Sequence, residues 1–227
     1  MSISLPTKIA TVVLSGGTVT AGAVYLGKGL IGNKTSVKTP IKELIKTVSP
    51  HKRLIEGSAI TDPLWKEAWK EYRNAHLNKD SDSWNINGWE KPTGVISNST
   101  DASSHFISAC SSKLDEEVES SADPLYSQVV SYCTRDALVS DLIKERNPNK
   151  SPLSNADGDK WKTPWEAYKV FNSSKNEDKW KLSDWTQKKG DSNVPETFKQ
   201  KCKEKLETKT VEAKDEDYED TLNWCTK

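Results

Sequence analysis

The chain is predicted to be mainly α-helical: an N-terminal transmembrane helix, then two tandem, homologous small helical modules, each pinned by one disulfide. Three observations predict this. Residues 9–27 carry no charge and are bracketed by Lys8 and Lys28. The stretch Trp65-Lys66-Glu67-Ala68-Trp69-Lys70-Glu71-Tyr72 returns as Trp161-Lys162-Thr163-Pro164-Trp165-Glu166-Ala167-Tyr168. The four cysteines fall as two pairs, each 23 positions apart.

The N-terminal segment comes first in the chain. Nineteen uncharged residues suffice for a helix across a bilayer, which needs about 17–25. Gly16, Gly17, Ala21 and Gly22 are small enough to let membrane helices approach closely. Ala21-Gly22-Ala23 also has the form of a cleavage site, so a removed signal peptide and a buried soluble helix stand as alternatives to an anchor over 1–31. The lysines after the segment, from Lys28 to Lys46, favour a cytoplasmic C-terminal side. The paired cysteines favour the opposite side.

Residues 32–60 read as a basic stalk. Pro40 and Pro50 frame Ile41, Leu44, Ile45 and Val48, one apolar face of a short helix. That face suits a membrane surface or the flank of the first module. Residues 1–60 hold eight basic and two acidic residues, so the net charge of zero hides a basic N-terminal part. Residues 61–150 come to −5 and 151–227 to −1, which gives neither module the charge of a nucleic-acid binder.

The repeat sets the modules at 61–146 and 159–227, with 147–158 as linker. Trp65, Trp69, Tyr72, Trp84 and Trp89 match Trp161, Trp165, Tyr168, Trp180 and Trp185 at an offset of 96. Phe106, Cys110, Leu114, Asp123, Tyr126, Cys133 and Thr134 match Phe198, Cys202, Leu206, Asp215, Tyr218, Cys225 and Thr226 at an offset of 92. A four-residue deletion explains the change, and self-similarity of this extent marks a duplicated unit. Within a unit, Asp62-Pro63 starts one helix and Asp123-Pro124 another, since Asp caps and Pro takes the first helical position. Thr163-Pro164-Trp165-Glu166 reads as a capping box in the second copy. Phe106, Cys110 and Leu114 recur every four residues as a further helix, and residues 136–146 read as an extension of the first module's last helix. No alternating apolar pattern is long enough for a sheet.

The duplication favours Cys110–Cys133 and Cys202–Cys225, because a module that once stood alone had only its own two cysteines. Each bond would contribute about 3 kcal/mol in the chain-entropy account, useful to small modules with thin cores. Paired cysteines after an export-like segment imply an oxidising location. A zinc site built from all four is the rival, although close cysteine pairs are missing.

Nothing in the chain reads as catalytic. His51, His76 and His105 are not shared between the copies, no serine sits in a nucleophile elbow, and phosphate-loop and dinucleotide motifs are missing. No cofactor and no metal are expected. Trp84, Trp89, Trp180 and Trp185 lie in polar loops, where they either plug a core or form an aromatic face for a glycan or protein. A carbohydrate- or protein-binding module and a cytoplasm-facing scaffold are therefore the alternatives to display.

The Met1-Ser2 start, Pro6 and Lys8 before a Gly/Ala-rich apolar segment, the W-x-x-x-W-x-x-Y unit and the Tyr/Trp-Cys-Thr-Arg/Lys endings occur together here. With lysine supplying 29 of 33 basic residues, the chain resembles paralogous families of uncharacterised proteins in haemotropic mycoplasmas. The resemblance implies a membrane-anchored or secreted protein, surface-exposed and antigenic; contact with a host-cell protein or glycan is expected from the span, the paired cysteines and the aromatic residues. It carries over no catalytic or ligand residues.

Overall fold

Two aromatic cores organise a mainly helical chain. The computed structural model describes residues 37–227, so the segment 9–27 read as a membrane span lies outside the described residues. Among the described residues, no helix is long and apolar enough to cross a membrane.

The first core is closed by four helices. These are α1 (Ile41–Val48), α2 (Pro63–Ala75), α3 (Ser104–Leu114) and α4 (Pro124–Cys133). Asp62 and Asp123 start α2 and α4 as expected: each carboxylate accepts from the N–H two residues on, Leu64 at 2.7 Å and Leu125 at 2.8 Å. These bonds satisfy donors that every helix start leaves orphaned. Two short antiparallel ladders tie the ends together. Strand β1 (Thr39–Pro40) pairs with β3 (Glu117–Val118), and β2 (Lys52–Leu54) pairs with β4 (Thr134–Asp136). Strands of two and three residues are too short to show an alternating pattern.

The second core is closed by α5 (Val139–Arg146), α6 (Lys162–Asn172), α8 (Glu196–Leu206) and α9 (Asp215–Trp224), with a short extra turn, α7 (Trp185–Lys188). Packing partners run in parallel with the first. Helix α1 rests on α3 and α4 as α5 rests on α8 and α9, and α2 and α3 contact α4 as α6 and α8 contact α9. The backbone joins match too. Ile41 N–H donates to Glu116 O and Val139 N–H to Thr208 O, both at 2.9 Å. Ile55 N–H donates to Cys133 O at 3.1 Å, and Leu153 N–H to Cys225 O at 2.9 Å. Residues 37–227 fall in one compact unit.

These contacts move the boundaries drawn from sequence. Residues 37–60 are not a stalk: Ile41, Ile45 and Ile55 are buried in the first core. The apolar face of α1 is therefore covered by α3 and α4 and is not laid on a membrane. Residues 136–146 do not extend α4, which ends at Cys133 and passes into β4. They form α5, whose Val139 and Ile143 are buried in the second core. The linker 147–158 is built in as well: Pro152 bridges to Thr226 and Leu153 is buried. The expected Thr163 capping box is also absent. Helix α6 starts at Lys162 without a side-chain cap, behind a 3₁₀ turn (Asn155–Trp161) that Ser154 and Asp157 cap.

A direct test follows from α1. Ile41→Ala removes a fully buried side chain and is expected to cost about 2–5 kcal/mol in urea unfolding. A stalk residue would change stability by less than about 0.5 kcal/mol.

Candidate functional site

Each core is built around one tyrosine. Tyr72 lies among Trp69, Trp84, Trp89, Phe106 and Tyr132, with ring centroids 5.0–6.0 Å away. Tyr168 lies among Trp165, Trp180, Trp185, Phe198 and Trp224, at 4.9–5.9 Å. Each tyrosine has one stacked, two tilted and two edge-on partners, in the same order in both cores, and stacked and edge-on pairs are geometries that aromatic quadrupoles favour.

A buried carboxylate anchors each tryptophan loop to its tyrosine. The Tyr72 hydroxyl donates to Asp82 and accepts from Trp84 N–H at 3.1 Å. Asp82 also accepts from Trp84 N–H at 2.9 Å and Ile86 N–H at 3.0 Å. In the second core Tyr168 donates to Asp178, Trp180 N–H donates to the Tyr168 hydroxyl at 3.1 Å, and Leu182 N–H donates to both Asp178 oxygens at 3.1 Å. Asp82 and Asp178 were missed from sequence although they obey the offset of 96.

Burial and the neighbouring carboxylate push both hydroxyls, Tyr72 and Tyr168, well above the ordinary tyrosine range. The native state therefore prefers both neutral. Stability is intact below pH ~10, where unfolded tyrosine ionises, and falls as pH rises beyond it. In an alkaline titration, Tyr72 and Tyr168 are expected to gain tyrosinate absorbance only together with loss of the folded circular dichroism signal.

His76 and Asn172 hold the same loop in two chemical forms. His76 Nδ1 lies 2.8 Å from Tyr72 O, while Ser83 N–H donates to Nε2 at 3.0 Å. That pattern assigns the proton to Nδ1. Asn172 Nδ2 donates to Tyr168 O at 2.9 Å and Oδ1 accepts from Lys179 N–H at 2.9 Å. Both side chains are buried. His76→Asn is expected to stay within about 1 kcal/mol of the parent in thermal melts, and His76→Ala to cost about 1–3 kcal/mol by stranding both backbone groups.

The sequence-predicted residues sit inside the cores. Cys110–Cys133 and Cys202–Cys225 are disulfides with Cα separations of 5.6 and 5.3 Å, all four residues fully buried. Both pairings agree with expectation, and with no free thiol left the four-cysteine zinc site is excluded. The aromatic face is corrected: Trp180 and Trp185 are buried, and Trp84 and Trp89 are half-buried against the first core. Trp84 Nε1 donates to Gln128 Oε1 at 2.6 Å and Trp89 Nε1 to Lys79 O at 3.2 Å. These four rings present no common exposed platform. His105 stays at the surface beside Asn87, and His51 is exposed.

The concave surface with the richest chemistry lies where the two cores meet, in segments the sequence assigned to a stalk and to the end and helix extension of the first module. The cleft encloses about 800 Å³. Lys42, Lys46, Lys52 and Arg53 line it from the first half, and Arg135, Lys144 and Arg146 from β4 and α5. Glu56, Asp141 and Glu145 are its acidic residues. Arg53 grips Glu145 through two bonds of 2.7 Å, and Arg135 grips Asp141 at 2.6 and 2.9 Å. Burial pushes the Asp141 carboxyl up, but Arg135 and the Leu138 N–H outweigh it and hold it below the usual carboxylate range. Nearby, Asp136 sits between Lys52 at 2.6 Å and Lys209 at 3.0 Å, and the pair holds it low as well. Such paired guanidiniums fix geometry between the halves. Lys144 has no carboxylate partner among the described residues, and Arg146 lies 5.3 Å over the Tyr218 ring. Among the described residues, no group of three or more His, Cys, Asp or Glu is placed to hold a metal ion. Compared with protein-family models, curated proteins and solved structures, the chain matches none.

Proposed function

We propose that this chain is a membrane-anchored display protein. In this reading, residues 9–27 hold it in the membrane, and two copies of one helical module stand outside the cell for host contact or antigenic display. The observation that carries it is the pair of disulfides, each joining residues 23 apart at matching places in the two cores. Protein disulfides persist in oxidising surroundings and are rare where thiol buffers act. The matched packing, matched backbone joins and matched tyrosine–carboxylate anchors support reading the two halves as one duplicated module.

The chemistry of the cores fits display better than catalysis. The Asp82 and Asp178 carboxylates are spent on holding loops, accepting from backbone N–H and tyrosine donors, while the buried Trp180 and Trp185 Nε1–H groups have no partner.

Protease added to intact cells tests the reading. Loss of the region 37–227 from intact cells, with a cytoplasmic marker protected, is the expected result. Full protection until lysis would place the modules inside and overturn it.

A further inference from the structure

We infer that the cleft between the two halves is a binding site for an acidic peptide segment of a partner protein. The inference goes beyond display, since it names a site and the chemistry of its occupant. Three observations carry it.

The first is an imbalance of charge in a concave place. Seven cationic and three anionic side chains line the cleft, and Asp115, Glu43 and Asp136 just outside the lining pair with Lys42, Lys46 and Lys52. Two of the three anions, Asp141 and Glu145, are each gripped by an arginine. The surplus that remains is cationic, carried by Lys144 and Arg146, and a concave setting strengthens its pull on the opposite charge. The second is that cations remain available. Lys144 has no acidic partner among the described residues, Arg146 is committed only to the face of Tyr218, and Lys46 is exposed with only Glu43 of its own helix as partner. The third is the floor. Leu54 and Leu142 are half-buried between these cations, next to Pro50.

Together these features select a peptide over a sulfated sugar. Cationic lips take carboxylates, and the aliphatic floor takes the apolar side chains between them, as interfaces with a charged rim and an apolar centre do. The cleft already shows this recognition in its own wall. Asp141 and Glu145, four residues apart on one face of α5, are held by Arg135 and Arg53. A sulfated glycan would use the cations and leave the aliphatic floor unused. The ~800 Å³ volume lies within the ordinary range for ligand sites, about 300–1,000 Å³.

The test is fluorescence anisotropy on the full chain with two labelled probes at low salt, a peptide of alternating glutamate and leucine and a heparin oligosaccharide. The peptide is expected to bind more tightly, with affinity falling as salt is raised. The double variant Lys144→Glu, Arg146→Glu is expected to weaken it at least roughly tenfold. The charge-matched control Lys189→Glu, Lys203→Glu, at exposed positions just after α7 and on α8 that do not line the cleft, is expected to leave it within about twofold. Equal thermal melts establish that both variants are folded; should the double variant melt early, Lys46→Glu takes its place with the same expectation. Tighter binding of the oligosaccharide overturns the peptide assignment. Absence of peptide binding, or equal loss in the control, overturns the site.

Discussion

Removing the first disulfide by Cys110→Ala with Cys133→Ala is expected to destabilise the chain by about 3 kcal/mol, with the second pair giving a similar loss. Each bond closes 23 positions and fastens one helix of its core to the end of another. All four cysteines are fully buried, so substitution by alanine also removes a little packing and adds to the entropic loss. A domain of ordinary stability has about 5–15 kcal/mol in total. Loss of both bonds is therefore expected to bring the protein to the edge of unfolding at physiological temperature. Thermal melts with and without reductant read this directly: one missing bond lowers the midpoint by about 6–12 °C for a chain of this size.

Asp178→Ala is expected to have an effect of the same order, about 3 kcal/mol, for a different reason. Asp178 is buried and accepts from the Tyr168 hydroxyl and from Leu182 N–H. Its removal strands two buried donors, each worth about 1–3 kcal/mol once desolvated. It also frees the loop that carries Trp180 and Trp185 into the core. Asp178→Asn keeps one acceptor oxygen and should cost about 1 kcal/mol. Chemical denaturation separates the two, and tryptophan emission should shift to the red in the alanine variant as the indoles meet water.

The parts of this fold legible from sequence were those marked by rare residues. Tryptophan and cysteine occur nine and four times in the chain, so their constant offsets stand out and gave both disulfides correctly. Asp62-Pro63 and Asp123-Pro124 marked two helix starts because their chemistry is local. Helix α1 was legible as a helix but not as core. Its eight residues bear an apolar face that reads alike against a membrane or a protein, and only contacts with α3 and α4 decide. Its counterpart α5 went unrecognised because Ile41 and Ile45 match Val139 and Ile143, common aliphatics at a third offset, 98.

Two further features escaped for physical reasons. The equivalence of His76 and Asn172 is one of hydrogen-bonding role, donating to the carbonyl four residues back and accepting from the N–H seven residues on, which unlike side chains can fill. The cleft is assembled from α1, β2, β4 and α5, segments nearly a hundred positions apart that the sequence places in a stalk and a helix extension. Its basic character was visible as the positive charge of residues 1–60, but its concavity arises only when the halves meet. For the tryptophan loops the sequence leaves a core plug and an aromatic face open, and the buried carboxylates, which draw those loops inward, decide for the core.

The measurement that tests the central claim most directly is the redox state of the four cysteines in protein taken from its own cells. Intact cells are treated with a membrane-impermeant thiol alkylator, then lysed and mapped by peptide mass. The account predicts linked Cys110–Cys133 and Cys202–Cys225 peptides with no alkylated cysteine. Four free thiols, unlabelled until lysis, would contradict it and turn the modules inward.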